Sequence, residues 1–154
     1  MDIKTMRELL GSYRDAARRA EEIQMELGRI RDNYASISSQ TFDGMPHSTK
    51  IHDLSEFAEK VDDLLRELRG QYDACVTKKR LIAQLIDEAD TETQRLLLWY
   101  RFIKLEKDGR LMWYERIAVE TGYSYGGVRY IIDQGLQSIV DRWPEISAKY
   151  EGLL

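Results

Sequence analysis

The sequence predicts an all-α protein: a long, coiled-coil-like antiparallel helical hairpin over residues 1–89, then a helix-turn-helix domain over residues 90–154. Three observations carry this expectation. Two long stretches repeat apolar side chains at alternating steps of three and four, the period of a helix with one buried seam. Proline occurs only at Pro46 and Pro144, so little in the chain interrupts a helix. Residues 113–136 read as a short helix, a glycine turn and a second helix.

The first helix is expected over residues 3–37. Its seam is Ile3, Met6, Leu10, Tyr13, Ala17, Ala20, Ile23, Leu27, Ile30, Tyr34 and Ile37, with one shortened step between Ala20 and Ile23 that resembles a stammer. Residues 38–50 are polar and contain Gly44 and Pro46, which predicts a loop. The second helix is expected over residues 52–88, with the seam Leu54, Phe57, Val61, Leu64, Leu68, Tyr72, Cys75, Ile82 and Ile86. An antiparallel hairpin lets each seam cover the other. A parallel dimer would leave more seam uncovered and ranks lower.

Asp90 or Thr91 caps a third helix, expected to run to about residue 106. Leu96, Leu97, Leu98, Trp99, Tyr100, Phe102 and Ile103 make it too apolar for a surface helix, so it is expected inside a small core. Lys107, Asp108, Gly109 and Arg110 make the next turn. Ile117 and Ala118 then mark the inner face of a short helix, which Gly122 stops because a left-handed backbone costs glycine little. Ser124 is placed to cap the following helix. Val128, Ile131, Ile132 and Leu136 form its inward stripe. The expected core joins Leu97, Tyr100, Ile103, Trp113, Ile117, Val128, Ile132, Leu136 and Ile139, and Trp143-Pro144 closes the module. Tyr125, Gly126, Arg129, Tyr130 and Asp133 are left on the outer side, which in a helix-turn-helix enters the DNA major groove.

Composition limits the function. The net charge is −4, and counting along the chain assigns all of it to residues 1–90; residues 91–154 hold nine basic and nine acidic side chains. A DNA-binding module with no net charge gains little from phosphate neutralisation, so weak binding by the isolated domain is expected. Arg129 is the single basic residue between Gly122 and Asp141, suited to a guanine or a phosphate. Tyr125 and Tyr130 suit a thymine methyl, a sugar or a phosphate. Gly126 and Gly127 lower helix propensity and admit a close backbone approach. Arg101, Lys104, Lys107, Arg110 and Arg116 are candidates for a rim that contacts the DNA backbone.

Catalytic chemistry is not expected. His47 and His52 have no cysteine or paired histidine to complete a metal site. Cys75, the single cysteine, falls on the helical seam and fits a reducing compartment. The carboxylates at Asp62-Asp63 and at Asp87, Glu88 and Asp90 read as solvated helix faces. No phosphate loop or nucleophile motif occurs. There is no apolar run of membrane-spanning length and no signal-peptide core, so the expected location is cytoplasmic, without cofactor, metal or membrane.

The words Glu115-Arg116-Ile117-Ala118, Thr121-Gly122-Tyr123-Ser124, Val128-Arg129 and Gly135-Leu136 resemble the fourth region of bacterial sigma-70-type factors, which reads the promoter −35 element. The two long helices, the loop Gly44-Met45-Pro46-His47 and the segment from Arg95 to Ile103 narrow the resemblance to phage-encoded ArpU/RinA-type regulators. It covers nearly the whole chain. It implies transcriptional regulation of phage or prophage late genes in a bacterial host, through double-stranded DNA and possible contact with RNA polymerase. Tyr125, Gly126, Arg129 and Tyr130 match the DNA-facing sigma positions. Sigma factors usually carry charge at the positions of Tyr125, Gly126 and Gly127; here it is absent, and Arg129 takes more of the load. No counterpart of the −10-binding region is present, so the resemblance implies a detached reader and not a full sigma factor.

The expected function is a DNA-binding transcriptional regulator whose contacts come from Tyr125, Gly126, Arg129, Tyr130, Arg116 and Ser124. The hairpin would recruit a partner or form a homodimer, which doubles a weak contact. Two alternatives stay open: a phage DNA-packaging component such as a small terminase subunit, and a helical interaction scaffold that binds no DNA.

Overall fold

The computed structural model describes residues 1–39 and 49–152, apart from the side chains of residues 34, 36–39 and 49–54. Six helices occur among them: α1 Ile3–Ser39, α2 Thr49–Asp87, α3 Glu92–Phe102, α4 Tyr114–Thr121, α5 Tyr125–Asp141 and α6 Trp143–Lys149. The chain is all-α, a long helical hairpin leading into a helix-turn-helix module. Most of the expected loop, with Gly44, Pro46 and His47, lies outside the described residues, as do the side chains at seam positions 34, 37 and 54.

The apolar stripe of α1 meets that of α2 in antiparallel order. Gln24 donates to the Tyr72 hydroxyl at 2.6 Å, and Tyr13 lies beside Cys75 with Lys79 6.0 Å from its ring centre. Met6 and Leu10 pack with Ile82, Leu85 and Ile86 at the open end of the hairpin. Tyr72 departs from its expected place on the seam. It is exposed, and half-buried Gln71 takes the inner position, while the tyrosine hydroxyl reaches across the rim to Gln24.

The open end of the hairpin and the C-terminal helices share one core. Met6, Leu10, Ile82, Leu85 and Ile86 are continuous with Leu97, Leu98, Ile117, Val128, Ile132, Leu136 and Ile139, and these side chains are sealed from water. The core therefore crosses residue 90. Removing a leucine from such a site costs about 2–5 kcal/mol.

Helix α3 begins with a capping box. Thr91 Oγ1 accepts from the Gln94 amide at 3.2 Å, and Gln94 Oε1 accepts from the Thr91 amide at 3.3 Å. Thr91, not Asp90, is thus the cap. The helix stops at Phe102 and not near residue 106, because the amides of Ile103 and Lys104 both turn back onto the Trp99 carbonyl. The following turn is closed by Gly109, whose φ is +74° and whose amide donates to the Glu106 carbonyl. Leu97, Leu98, Phe102 and Ile103 face the core, but Leu96 and Trp99 stay 46% and 43% exposed, against expectation. Four apolar residues in a row cover more than one side of a helix, and the stripe of α3 through Glu92, Leu96 and Trp99 is left exposed.

Gly135 makes the crossing of α3 and α5 close. A Cβ added there would stand 3.0 Å from Leu98 Cδ1 and 3.1 Å from Gln94 Cβ. Helix α6, a fourth helix in a module expected to hold three or four, carries Pro144 in its first turn, where the missing amide hydrogen costs nothing. It buries Ile146 and Tyr150, and it fastens the end of α2. The Glu88 carboxylate accepts from the Tyr150 hydroxyl at 2.9 Å and bonds Lys149. The Arg142 guanidinium donates to the Glu88 carbonyl and stands 3.4 Å from Asp90.

This packing has two measurable consequences. Gly135→Ala gains helix propensity of about 1 kcal/mol but overpacks the crossing by about 1–3 kcal/mol, so denaturant titration is expected to show a net loss. The bond from Lys149 is the main cause holding Glu88 below its ordinary value of 4.5, and Glu88 holds Lys149 above 10.5. The glutamate's share of stability is present above pH 4.5 and lost as pH falls through its lower folded value. The lysine's share is present below pH 10.5 and lost as pH rises through its higher folded value. In Glu88→Gln, thermal unfolding should therefore depend less on pH at both ends than in the unaltered chain.

Candidate nucleic-acid interface

The helix-turn-helix is built by two terminal residues. Gly122 ends α4 with φ +77°, its amide donating to the Ala118 carbonyl at 2.9 Å. Ser124 begins α5, its hydroxyl accepting from the Gly127 amide at 3.1 Å. At Gly127 a Cβ would meet Ser124 Oγ at 3.0 Å, a close contact that a shift of the serine by a few tenths of an ångström relieves. Gly126 is different: a Cβ there would meet nothing within 4 Å. Ile117, Val128, Ile132, Leu136 and Ile139 anchor both helices to the core.

The expected site residues divide into three groups. Tyr125, Gly126, Arg129 and Tyr130 are exposed together on the first turns of α5. Tyr130 is 65% exposed, whereas Tyr125 is steadied edge-on by Tyr114 at 6.3 Å. Arg129 makes no hydrogen bond or ion pair among the described residues. The amides of Tyr125 and Gly126 belong to the first turn of α5, ahead of any intrahelical acceptor. Ser124 is exposed but engaged as the cap. Arg116 is already paired, with Glu120 at 3.2 Å and Glu106 at 3.7 Å.

The expected basic rim is mostly neutralised within the protein. Lys104 bonds Glu120 at 2.6 Å, which lowers the Glu120 carboxyl and raises the Lys104 ammonium from their ordinary values. Arg110 pairs with Asp108 at 2.9 Å. Arg101 is half-buried: it donates to the Met112 carbonyl and lies 4.6 Å from the Tyr114 ring centre, and burial pulls its affinity for the proton down. Of the five, Lys107 alone is exposed and without a described partner.

Asp133 does not stand free on the outer face. Arg7 from α1 bonds its carboxylate. No local pattern links residues so far apart, so sequence reasoning missed Arg7. The pair matters because Asp133 lies four residues after Arg129, within reach for a helical ion pair. With Asp133 held by Arg7, Arg129 keeps its charge free.

Trp113, expected in the core, is 61% exposed, while Met112 is buried. Trp113 caps α4 with extended backbone at φ −67° and ψ 148°, so helical spacing from Ile117 does not apply to it. Val119, 85% exposed, adds an apolar side chain on the outside of α4.

Among the described residues no group of three or more His, Cys, Asp or Glu is arranged to hold a metal, and no helix is long and apolar enough to cross a membrane. No protein-family model, curated protein or solved structure matches the chain.

Gly126 yields a prediction of opposite sign to that for Gly135. With open space around its Cβ position, Gly126→Ala should stabilise the fold by about 0.5 kcal/mol, read by chemical denaturation.

Proposed function

We propose that the chain binds double-stranded DNA through the first turns of α5 and acts as a transcriptional regulator, of the kind the resemblance to phage ArpU/RinA-type proteins implies. One observation carries this reading: Arg129 is exposed and, among the described residues, unpaired on the outer face of a capped second helix. Around it stand two aromatic hydroxyls, two first-turn amides and a glycine whose missing side chain no neighbour requires. Arginine at that place suits a guanine edge or a phosphate, and the amides suit a phosphate. The hairpin would hold a partner subunit or RNA polymerase.

A second reading has an observation of its own. The paired rim and the exposed Trp113 and Val119 suit a protein surface better than a phosphate backbone. The two readings separate on the same measurement.

Selection of bound sequences from a random DNA pool, followed by titration of the selected duplex at low salt, is expected to give a defined site. Arg129→Ala should weaken binding about tenfold or more, while Arg116→Ala, already paired within the chain, should change it little. Absence of any binding, or binding indifferent to Arg129, makes the surface a docking face for protein.

The Arg7–Asp133 pair gives a sharper pair of outcomes. Arg7→Gln frees Asp133 to pair with Arg129, and DNA affinity should fall several-fold. Asp133→Asn removes the carboxylate and leaves both arginines free, and affinity should rise. Equal effects of the two substitutions would mean that the pair acts through stability alone.

A further inference from the structure

Helix α2 carries a second stripe, of mixed apolar and charged side chains, one quarter turn away from the seam that meets α1. Leu65, Tyr72 and Val76 are exposed along it, Val76 by 64%, and it ends at half-buried Ala83. Ala83 also lines a groove of about 640 Å³ beside exposed Leu96 and Trp99. The stripe repeats at steps of three and four: Ala58, Asp62, Leu65, Arg69, Tyr72, Val76, Lys79, Ala83. That is the spacing of a coiled-coil seam.

We propose that this stripe is the contact between two copies of the chain, the α2 helices running antiparallel about a twofold axis between Gly70 and Gln71. The inference is independent of DNA binding. It rests on the self-complementarity of the stripe. Turned end for end about that axis, Leu65 meets the partner's Val76 and Ala58 meets the partner's Ala83. Asp62 meets the partner's Lys79, and Arg69 lies against the partner's Tyr72 ring. Each seam position thus faces a side chain of matching size or opposite charge, or a cation faces a ring.

The flank repeats the match. Glu59, Arg66, Asp73 and Arg80 are exposed and border the stripe on one side. In the same register Arg66 pairs with the partner's Asp73, and Glu59 with the partner's Arg80. The other border, Val61, Leu68, Cys75 and Ile82, is turned toward the hairpin seam. Among the described residues Arg66 has only a 3.9 Å approach to Asp63, both side chains largely exposed, so it can turn to a partner.

The parallel alternative is disfavoured by the same residues. It would stack Asp62 on Asp62, Arg69 on Arg69 and Lys79 on Lys79 along the seam. Polar seam positions cost stability and in return select register and direction.

Sedimentation equilibrium of the full chain without DNA tests the contact. The unaltered chain is expected to dimerise below about 100 µM, and Arg66→Asp or Asp73→Arg to weaken the dimer about tenfold or more by placing like charges at both flanking pairs. An equimolar mixture of the two variants, distinguished by mass, should form the heterodimer. In it the aspartate introduced at position 66 of one chain faces the arginine introduced at position 73 of the other, and the unaltered Asp73 of the first faces the unaltered Arg66 of the second. The double variant R66D/D73R should dimerise like the unaltered chain. Heterodimer formation also shows that both variants fold. A monomeric unaltered chain, an indifferent single variant, or failure of the mixture and the double variant to recover association would overturn the proposal.

Discussion

Met6 and Leu10 enter the same core as Ile82, Leu97, Ile132 and Leu136, and that burial decides how the rest of the molecule is arranged. A long hairpin standing apart could swing on residues 88–91. Here its open end supplies part of the wall on which α3 and α5 pack, and Arg142, Lys149 and Tyr150 fasten the junction from the far side. The orientation of α1 against α5 then places Arg7 beside Asp133. So a contact that leaves Arg129 unpaired depends on apolar packing at the hairpin end.

The two long helices, the glycine stop and the serine cap were legible because each depends on local chemistry. A seam at steps of three and four, a left-handed glycine and a hydroxyl before a helix leave their mark within a few residues. What was not legible depends on distant neighbours. Leu96 and Leu97 are chemically alike, and only the placement of the helices around α3 leaves the first exposed and the second buried. Trp113 fitted the helical spacing but caps the helix with extended backbone. Gly135 reads as an unremarkable helical glycine until α3 is brought within 3.0 Å of its missing Cβ. The α2 side chains Tyr72 and Gln71 exchange places because a hydroxyl can reach the rim of the hairpin and still bond Gln24.

Within the candidate site, exposure was easier to read than charge. Tyr125, Arg129 and Tyr130 project as the helical period requires. The pairing of Lys104 with Glu120 and of Arg116 with Glu106 was not visible, since it joins α4 to the turn after α3. A count of nine basic and nine acidic residues does not say which cations are free. The folded arrangement leaves few of them free, and phosphate contacts contribute to affinity roughly in proportion to the cations available. A DNA-binding surface so short of free cations would gain more from being used twice than from any single added contact, because a second linked module raises the effective concentration of the first.

An antiparallel pairing of α2 would set the distance between the two modules. Each module begins where α2 ends, about 16 residues from the proposed axis, or roughly 25 Å of helix, so the two starting points stand about 50 Å apart. That exceeds one turn of B-DNA, about 34 Å, the spacing at which compact helix-turn-helix dimers place their reading helices. Two modules facing the same side of a duplex would then meet half-sites more than one turn apart. The hairpin is a ruler in this arrangement. Its length, through the core it shares with α3 and α5, would fix where each α5 stands, and the same core keeps Arg7 on Asp133 within each chain. A shorter α2 with an unchanged C-terminal module would shift the spacing and leave the contacts of each half-site as they are.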